Sequence, residues 1–309
     1  MMGKTMTGKS AFIFPGKGIV PYRDIRKFLL LDPMARRRLA VADEVVGYRI
    51  LNRYSEDDDH SEAAQLAFMV ACVALADWIS ETSGIDPVTC VGPSFGQRAL
   101  TAYAEILPFP EAVRLTAELA RAEQDYFAKS YTDAVTHCFV RVPEDGWRQA
   151  LAELTAAGKW SELSAIVDEG FYFISVREPD LPWLVDRVRA AGGYSMGTMR
   201  PAVHARSFTE LRHRVSAVLA DFELSAPRLP VLADQDGATV QTTAAAHTML
   251  LDGFDQPINW PKVVGALAEQ DVRSLYFLGP DKLFHRVDCV RKAFDVTHID
   301  VTTPLRPRA

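Results

Sequence analysis

The sequence has few of the features that mark a secreted, membrane-bound or metal-binding protein. Its 309 residues include four cysteines, and these form no CxxC pair or other metal-ligand spacing. The longest apolar run, residues 67–79, is too short to span a bilayer and includes Asp77. The N-terminus has lysines without a following apolar run, so no signal peptide is expected. These absences predict a reduced, cytoplasmic protein with no metal and no membrane association.

Positive charge is not in excess either. Lysine and arginine number 34 and aspartate and glutamate 40, giving a net charge of −6. That balance argues against nucleic acid or an anionic membrane as a partner. With 48% hydrophobic residues, the chain is long enough for one large domain, or for a main domain with an insert.

A phosphate-binding loop pattern occurs near the N-terminus, but its surroundings are in the wrong order. Gly3, Gly8, Lys9 and Ser10 fit G-x-x-x-x-G-K-[ST]. The chemistry requires a strand before the glycines and a helix after them, so that helix-end N–H groups point at phosphate. Here the following residues, 11–14, are apolar and predict a strand. We therefore expect no ATP or GTP site.

Strands alternate with helices along most of the chain, which predicts a mostly parallel α/β sheet. Residues 131–200 differ, because their pattern is a β-α-β-β-α-β series of the ferredoxin-like kind. The predicted organisation is a large subdomain from residues 1–130 and 201–309, with a small subdomain from residues 131–200 inserted in it.

The segment GPSFG, residues 92–96, holds Ser94 between two glycines. In a G-x-S-x-G elbow the serine stands on a tight turn between a strand and a helix, and the next N–H helps to hold an oxyanion. The preceding VTCVG predicts a strand and the following QRALTAYAE a helix. This context favours a nucleophilic Ser94 over an ordinary Gly-Ser turn.

A nucleophilic serine needs a base. Seven histidines are present, and any one of them by position alone is more often structural than catalytic. His204 differs because it lies in a predicted loop after the last strand of the insert, where functional groups tend to be placed.

Several motifs resemble those of malonyl-CoA:acyl carrier protein transacylases and related polyketide acyltransferases. FIFPGKG resembles their FPGQG opening, VGPSFGQRAL their GHSLGE elbow and AVHARSF the segment with their active-site histidine. LPVLADQDG resembles their PVxxNxxG strand, QPINW their PVxW loop and LGPDKL their GPGKxL turn. These motifs occur in the family's order over nearly the whole chain. The resemblance implies an α/β-hydrolase-like large subdomain with a parallel sheet and an inserted ferredoxin-like small subdomain.

The resemblance also implies a mechanism. Ser94 would attack an acyl thioester with His204 as base, and the acyl group would then pass to the phosphopantetheine thiol of an acyl carrier protein. The N–H groups of Lys17 and Phe95 would form the oxyanion hole, and Asp234 or its neighbouring backbone carbonyl would orient His204. No bound cofactor is expected, because the phosphopantetheine arrives on the carrier protein or as CoA.

Three departures from the family pattern concern the acyl group. Pro93 replaces the histidine that usually precedes the serine, and Leu119 stands 25 residues after Ser94, where malonyl-specific members have a carboxylate-binding arginine. Without that arginine, a buried substrate carboxylate loses a strong charge-assisted pair. Val203 is smaller than the usual aromatic residue before the catalytic histidine and leaves room for a longer group. With Gln65, at the family's pocket glutamine, these residues are the predicted substrate pocket.

The predicted function is therefore transfer of a bulkier, non-malonyl acyl group, such as an aminoacyl or dipeptidyl unit, in polyketide or antibiotic biosynthesis. The alternatives are a malonyl-CoA:acyl carrier protein transacylase, an editing thioesterase that passes the acyl group to water, and a non-catalytic scaffold. Carrier proteins are acidic around their modified serine, so a basic docking surface is expected. Its candidates are Arg141, Arg148, Lys159, Arg187, Arg189, Arg206, Arg212, Arg214 and Arg291.

Overall fold

The computed structural model describes residues 8–16, 22–54 and 60–306, in which helices pack around two β-sheets. The strands are β1 (Lys9–Ile13), β2 (Thr89–Val91), β3 (Ala134–Val140), β4 (Ser161–Asp168), β5 (Phe171–Arg177), β6 (Tyr194–Met199), β7 (Val231–Leu232), β8 (Thr239–Val240), β9 (Ile258–Asn259), β10 (Val272–Leu278) and β11 (Asp295–Ile299). The helices are α1 (Tyr22–Leu31), α2 (Pro33–Val46), α3 (Ile50–Arg53), α4 (Glu62–Ser83), α5 (Gly96–Tyr103), α6 (Phe109–Phe127), α7 (Glu144–Ala156), α8 (Leu181–Ala190), α9 (Thr209–Leu219), α10 (Thr243–Asp255), α11 (Trp260–Glu269) and α12 (Asp288–Ala293).

The larger sheet has the strand order β11-β10-β1-β2-β7-β8. All neighbouring strands in it are parallel except β7 and β8. Side chains alternate across a strand, so Phe12 of β1 packs into the core on one face of the sheet, while Ala11 and Ile13 pack into the core on the other. Both faces are covered, as expected for a parallel sheet, and the predicted α/β fold is confirmed.

Helix α4 is the central helix of the core. By length and composition it could cross a membrane, but most of it is buried inside the protein, as is typical of a core helix. The Ser61 hydroxyl accepts the N–H of Ala64 at its start, and Gly84 ends it with φ of +64°. The apolar run at residues 67–79 therefore forms part of a buried helix, as its composition predicts.

The smaller sheet contains the β-α-β-β-α-β series predicted from the sequence, with the strand order β6-β3-β5-β4 and antiparallel pairing. Strands β4 and β5 form a hairpin whose turn is at residues 169–170. The two-residue strand β9 from the large subdomain extends this sheet by pairing with β4. The sequence predicts a loop at β9, since two residues are too few for a periodic pattern. The boundaries at residues 131 and 200 stay a prediction.

The phosphate-loop pattern falls where its chemistry cannot operate. Lys9 and Ser10 lie inside β1, so a strand follows the glycine where the chemistry requires a helix. Gly3 and Lys17 lie outside the described residues.

Candidate active site

The serine elbow is built by close contacts that exclude side chains. It connects β2 to α5 and places Ser94 at φ of +53°, a strained conformation for a residue with a side chain. A methyl group on Gly96 would lie 1.8 Å from the carbonyl oxygen of Phe14, and one on Gly92 would lie 2.6 Å from the carbonyl of Gly96. Only glycine fits at either position, so both glycines of the motif have a steric role.

The structure brings Ser94 and His204 together, although they lie 110 residues apart. The Ser94 Oγ to His204 Nε2 distance is 2.8 Å, a hydrogen bond between nucleophile and base. His204 also has a positive φ, +53°. Burial lowers the pKa of His204 to about 4, while the nearby backbone carbonyl of Gly253 favours the protonated form. The imidazole is therefore neutral near pH 7 and can accept the serine proton.

The small sheet holds the segment that carries His204. The N–H of Val203 donates to Thr136 Oγ1 at 3.0 Å, and the hydroxyl of Ser175 donates to the carbonyl of Val203 at 3.3 Å. The hydroxyls of Thr136 and Ser175 lie 2.6 Å apart, and that of Ser164 lies 2.6 Å from Ser175. A chain of buried hydroxyls therefore fixes the backbone next to the base, while the large sheet fixes the nucleophile.

The prediction that the Asp234 side chain orients His204 is wrong, because that side chain bonds to the serine elbow instead. Its carboxylate accepts the backbone N–H of Ser94 at 2.6 Å and the side-chain amide of Gln97 at 2.8 Å. Its carbonyl accepts the N–H of Asn259 at 2.9 Å. Asp234 follows β7, which pairs with β2, so its side chain reaches the serine elbow. Burial raises the pKa of Asp234 to about 6, and the two hydrogen bonds oppose that rise.

Gly253, near the end of α10, is the backbone group that acts on His204. Its carbonyl favours the charged imidazolium, although Nδ1 of His204 has no hydrogen bond of normal geometry among the described residues. A methyl group on Gly253 would lie 2.6 Å from the side-chain oxygen of Gln97. The sequence carries no signal for this residue, because α10 has no recognisable motif and a backbone carbonyl leaves no signature in residue type.

The N–H of Phe95, one of the two predicted oxyanion donors, is available at the start of a helix. Phe95 caps the N-terminus of α5, and its N–H has no hydrogen-bond partner within the described part of the chain. It can therefore donate to a developing negative charge at a positive helix end. Lys17, the second predicted donor, is outside the described residues. Its neighbour Gly16 reaches the elbow, because a methyl group there would lie 3.2 Å from the Pro93 carbonyl oxygen.

The predicted pocket residues are divided between the site and the core. Pro93 and Val203 directly precede Ser94 and His204 in sequence, and Pro93 is buried while Val203 is half-buried. Leu119 is buried on α6, in the core cluster that also contains α4. Gln65 of α4 is buried, donates to the His60 carbonyl at 3.2 Å and has a side-chain oxygen without a partner in the described structure.

A surface cavity of about 330 Å³ lies between the segment after β7, strand β8 and helix α10. Gln235 and Asp252 are among its lining residues, whereas Ser94 and His204 are not. Among the residues that the structure describes, no group of three or more histidine, cysteine or acidic side chains could hold a metal ion.

Comparison with known proteins reveals similarity over almost the whole chain. A family model for the VinK acyltransferase small domain matches residues 138–199. The malonyl CoA-acyl carrier protein transacylase of Salmonella typhimurium is 24% identical over 88% of this chain and 89% of its own. A malonyl-transacylase solved in complex with a type II polyketide synthase acyl-carrier protein superposes with a TM-score of 0.85 at 20% identity, covering 96% of this chain and 98% of that one. The acyltransferase domain from the second module of the salinomycin polyketide synthase superposes with a TM-score of 0.79 at 22% identity, covering 95% of this chain and 69% of that one. The predicted resemblance, the fold and the acyltransferase class are thereby confirmed.

Proposed function

We propose that this acyltransferase moves an acyl group from a thioester to the phosphopantetheine thiol of an acyl carrier protein through an acyl-Ser94 intermediate. The observation that carries the proposal is the 2.8 Å contact of Ser94 with His204, whose buried ring is neutral near pH 7. The similarity to a transacylase solved with its carrier protein supports the choice of acceptor.

In the first half-reaction, His204 Nε2 takes the proton of Ser94 Oγ as the oxygen attacks the thioester carbonyl carbon. The carbonyl oxygen becomes an oxyanion, which the N–H of Phe95 and the predicted N–H of Lys17 stabilise. The carbon–sulfur bond then breaks, and the imidazolium returns its proton to the leaving thiolate. An acyl-serine ester and a free thiol result.

In the second half-reaction, the thiol of a carrier protein takes the place of the leaving thiol. His204 accepts the thiol proton as the sulfur attacks the serine ester, and then returns that proton to Ser94 Oγ. Attack by water in place of the thiol would release free acid, and this is the editing-thioesterase alternative.

The acyl group is proposed to be larger than malonyl and to lack its carboxylate. Leu119 is buried and apolar at the position where the resemblance places an arginine, and Val203 is small. A substrate carboxylate beside Leu119 would lose its hydration without gaining an ion pair with an arginine in return. Aminoacyl or dipeptidyl groups meet both conditions. Malonyl is the second candidate because the similar Salmonella typhimurium enzyme is a malonyl transacylase by name.

Ion pairs within the protein reduce the number of candidate residues for the expected basic surface. Arg148, Arg187 and Arg214 pair with acidic side chains at 2.6–3.1 Å, and Lys159 and Arg212 are also paired. Among the described residues no ion pair forms with the other candidates, which we propose as contacts of the carrier protein: Arg141, Arg189, Arg206 and Arg291.

Intact-protein mass spectrometry tests the proposal. The protein is incubated with malonyl-CoA and with aminoacyl and dipeptidyl carrier proteins, and an acyl adduct is sought that moves to a second carrier protein. We expect the adduct with the larger groups and its loss in Ser94→Ala. An adduct retained by Ser94→Ala would contradict the mechanism, preferential malonyl loading would contradict the substrate assignment, and free acid without transfer would favour the thioesterase.

A further inference from the structure

Arg98 is a buried cation beside the active site that the mechanism above does not use. It lies on α5, one helical turn beyond the nucleophile, and its side chain is only 8% exposed. The guanidinium carbon is 6.0 Å from the ring centre of Phe95 and 5.2 Å from that of Phe254. Phe95 follows Ser94, and Phe254 follows the Gly253 carbonyl that faces His204. Arg98 therefore contacts the neighbours of both catalytic elements.

The charge of Arg98 is neutralised by Glu123. Nη2 of Arg98 donates to Oε1 of Glu123 at 2.9 Å, and the Glu123 side chain is 25% exposed. Glu123 lies on α6, one turn beyond Leu119, so the pair stands on the face where the resemblance places the missing arginine. The site has a cation near this position, but the cation is already paired.

Most of the hydrogen-bonding capacity of Arg98 is unused. A guanidinium carries five N–H donors, and the bond to Glu123 is the only hydrogen bond that the Arg98 side chain makes among the described residues. The nitrogens that carry the other donors are not among the fully buried atoms without a partner in the described structure, so an acceptor that enters the site can reach them. An acceptor on the acyl chain would satisfy donors that the protein leaves open.

We propose that Arg98, held by Glu123, is the specificity-determining residue for the far end of the acyl group, and that this group presents a neutral carbonyl acceptor such as an amide. The inference rests on the proposed function. A carboxylate at the same place would put a second negative charge beside Glu123, and neighbouring carboxylates repel each other. An amide oxygen accepts the Arg98 N–H groups without adding charge. Peptide-like acyl groups are therefore favoured over both malonyl and plain alkyl groups.

The experiment measures rates of Ser94 acylation by intact-protein mass spectrometry with matched CoA thioesters. N-acetylglycyl and 4-methylpentanoyl groups have similar shapes, but only the first has an amide, and malonyl supplies the carboxylate. Arg98→Met/Glu123→Gln removes both charges together, which avoids leaving an unpaired buried ion. Arg114→Met/Glu118→Gln, an ion pair on the more exposed side of α6, is the matched control.

We expect the wild-type protein to load the amide group at least about tenfold faster than its alkyl counterpart, the range for a hydrogen bond to a charged donor. The Arg98→Met/Glu123→Gln variant should lose that preference, and the control should keep it. Glu123→Gln alone frees the cation and should raise malonyl loading relative to the alkyl group at least about tenfold. Equal amide-to-alkyl ratios in wild type and double variant would overturn the inference, as would wild-type malonyl loading as fast as amide loading. No adduct from any donor would instead refute the proposed function.

Discussion

The Asp234 carboxylate and the Gln97 amide are hydrogen-bonded to each other beside Ser94, and we predict that the two groups can be exchanged between these positions only together. The family motifs that this chain resembles, GHSLGE and PVxxNxxG, have glutamate and asparagine where this chain has Gln97 and Asp234. Each arrangement has one carboxyl and one amide. Here the Asp234 carboxylate receives the Ser94 N–H and the Gln97 amide at 2.6 and 2.8 Å. We expect the pair Gln97→Glu/Asp234→Asn to keep the elbow, and Gln97→Glu alone to damage it.

The magnitudes follow from burial and charge. The pKa of Asp234 is raised from 3.8 to about 6, so its ionisation costs the folded state about 3 kcal/mol at neutral pH. The stability of the fold with Asp234 protonated is fully present below pH 3.8. It is lost as the pH rises through about 6, where Asp234 ionises in the folded state. Asp234→Asn removes this cost and weakens the hydrogen bond to Ser94 by about 1 kcal/mol, so it should stabilise the folded state by about 2 kcal/mol at neutral pH. Gln97→Glu places a second buried carboxyl within hydrogen-bonding distance of the first and should destabilise by about 3–5 kcal/mol.

Urea unfolding of the wild type, both single variants and the double variant measures the coupling. The double variant should recover at least about 2 kcal/mol of the Gln97→Glu loss, and Ser94 acylation should recover with it. At about pH 5 the penalty of Gln97→Glu should shrink, because one of the two carboxyls takes up a proton. A coupling below about 0.5 kcal/mol would mean that the residues act independently and would refute the reasoning.

Three further predictions concern the base. Gly253→Ala should push on Gln97 and displace the carbonyl beside His204, lowering stability by about 1–3 kcal/mol and slowing acylation, as seen by thermal unfolding and adduct formation; an unaltered rate would contradict the role of this carbonyl. His204→Ala should slow adduct formation by about 10²–10⁴-fold without altering the circular dichroism spectrum, and a smaller loss would indicate another base. Because the pKa of His204 is lowered to about 4, the acylation rate should stay level as the pH falls from 7 through 6.5 and decline only towards 4; a midpoint near 6.5 would show an unperturbed histidine. The folded state is likewise most stable where the buried His204 is neutral. That contribution is fully present above pH 6.5 and is lost as the pH falls through about 4.

Much of the site could be predicted because its signals are local. The strand, glycines and helix around Ser94 are contiguous in sequence, and their motif states a steric requirement that the contacts of Gly92 and Gly96 satisfy. His204 could be proposed from its loop position and from the motif around it. The insert could be predicted because its strands and helices are long enough to have clear periods.

The parts that could not be predicted depend on long-range contacts or on the backbone. Gly253 acts through a carbonyl, and the helix that carries it has no motif that was recognised. The hydroxyls of Thr136, Ser164 and Ser175 meet only when β3, β4 and β5 pair, so their spacing along the chain gives no signal. The motif around Asp234 predicts the wrong catalytic partner, because a motif gives only position in sequence. The pairing of β7 with β2 decides which residue the Asp234 side chain reaches.

The substitution at Leu119 has a different meaning once the packing around it is known. From sequence, an apolar residue there implies that the positive charge at the end of the acyl pocket is gone. In the structure Arg98 of α5 pairs with Glu123, which lies one turn beyond Leu119 on α6 and cancels the charge of the guanidinium. Under the proposed function, the site therefore lacks a net attraction for a carboxylate but keeps directional hydrogen-bond donors. An apolar pocket would reject every polar acyl group, whereas a neutralised arginine rejects only the charged ones. Leu119→Arg should on this argument restore malonyl loading without abolishing amide loading, because Arg98 and its partner stay in place.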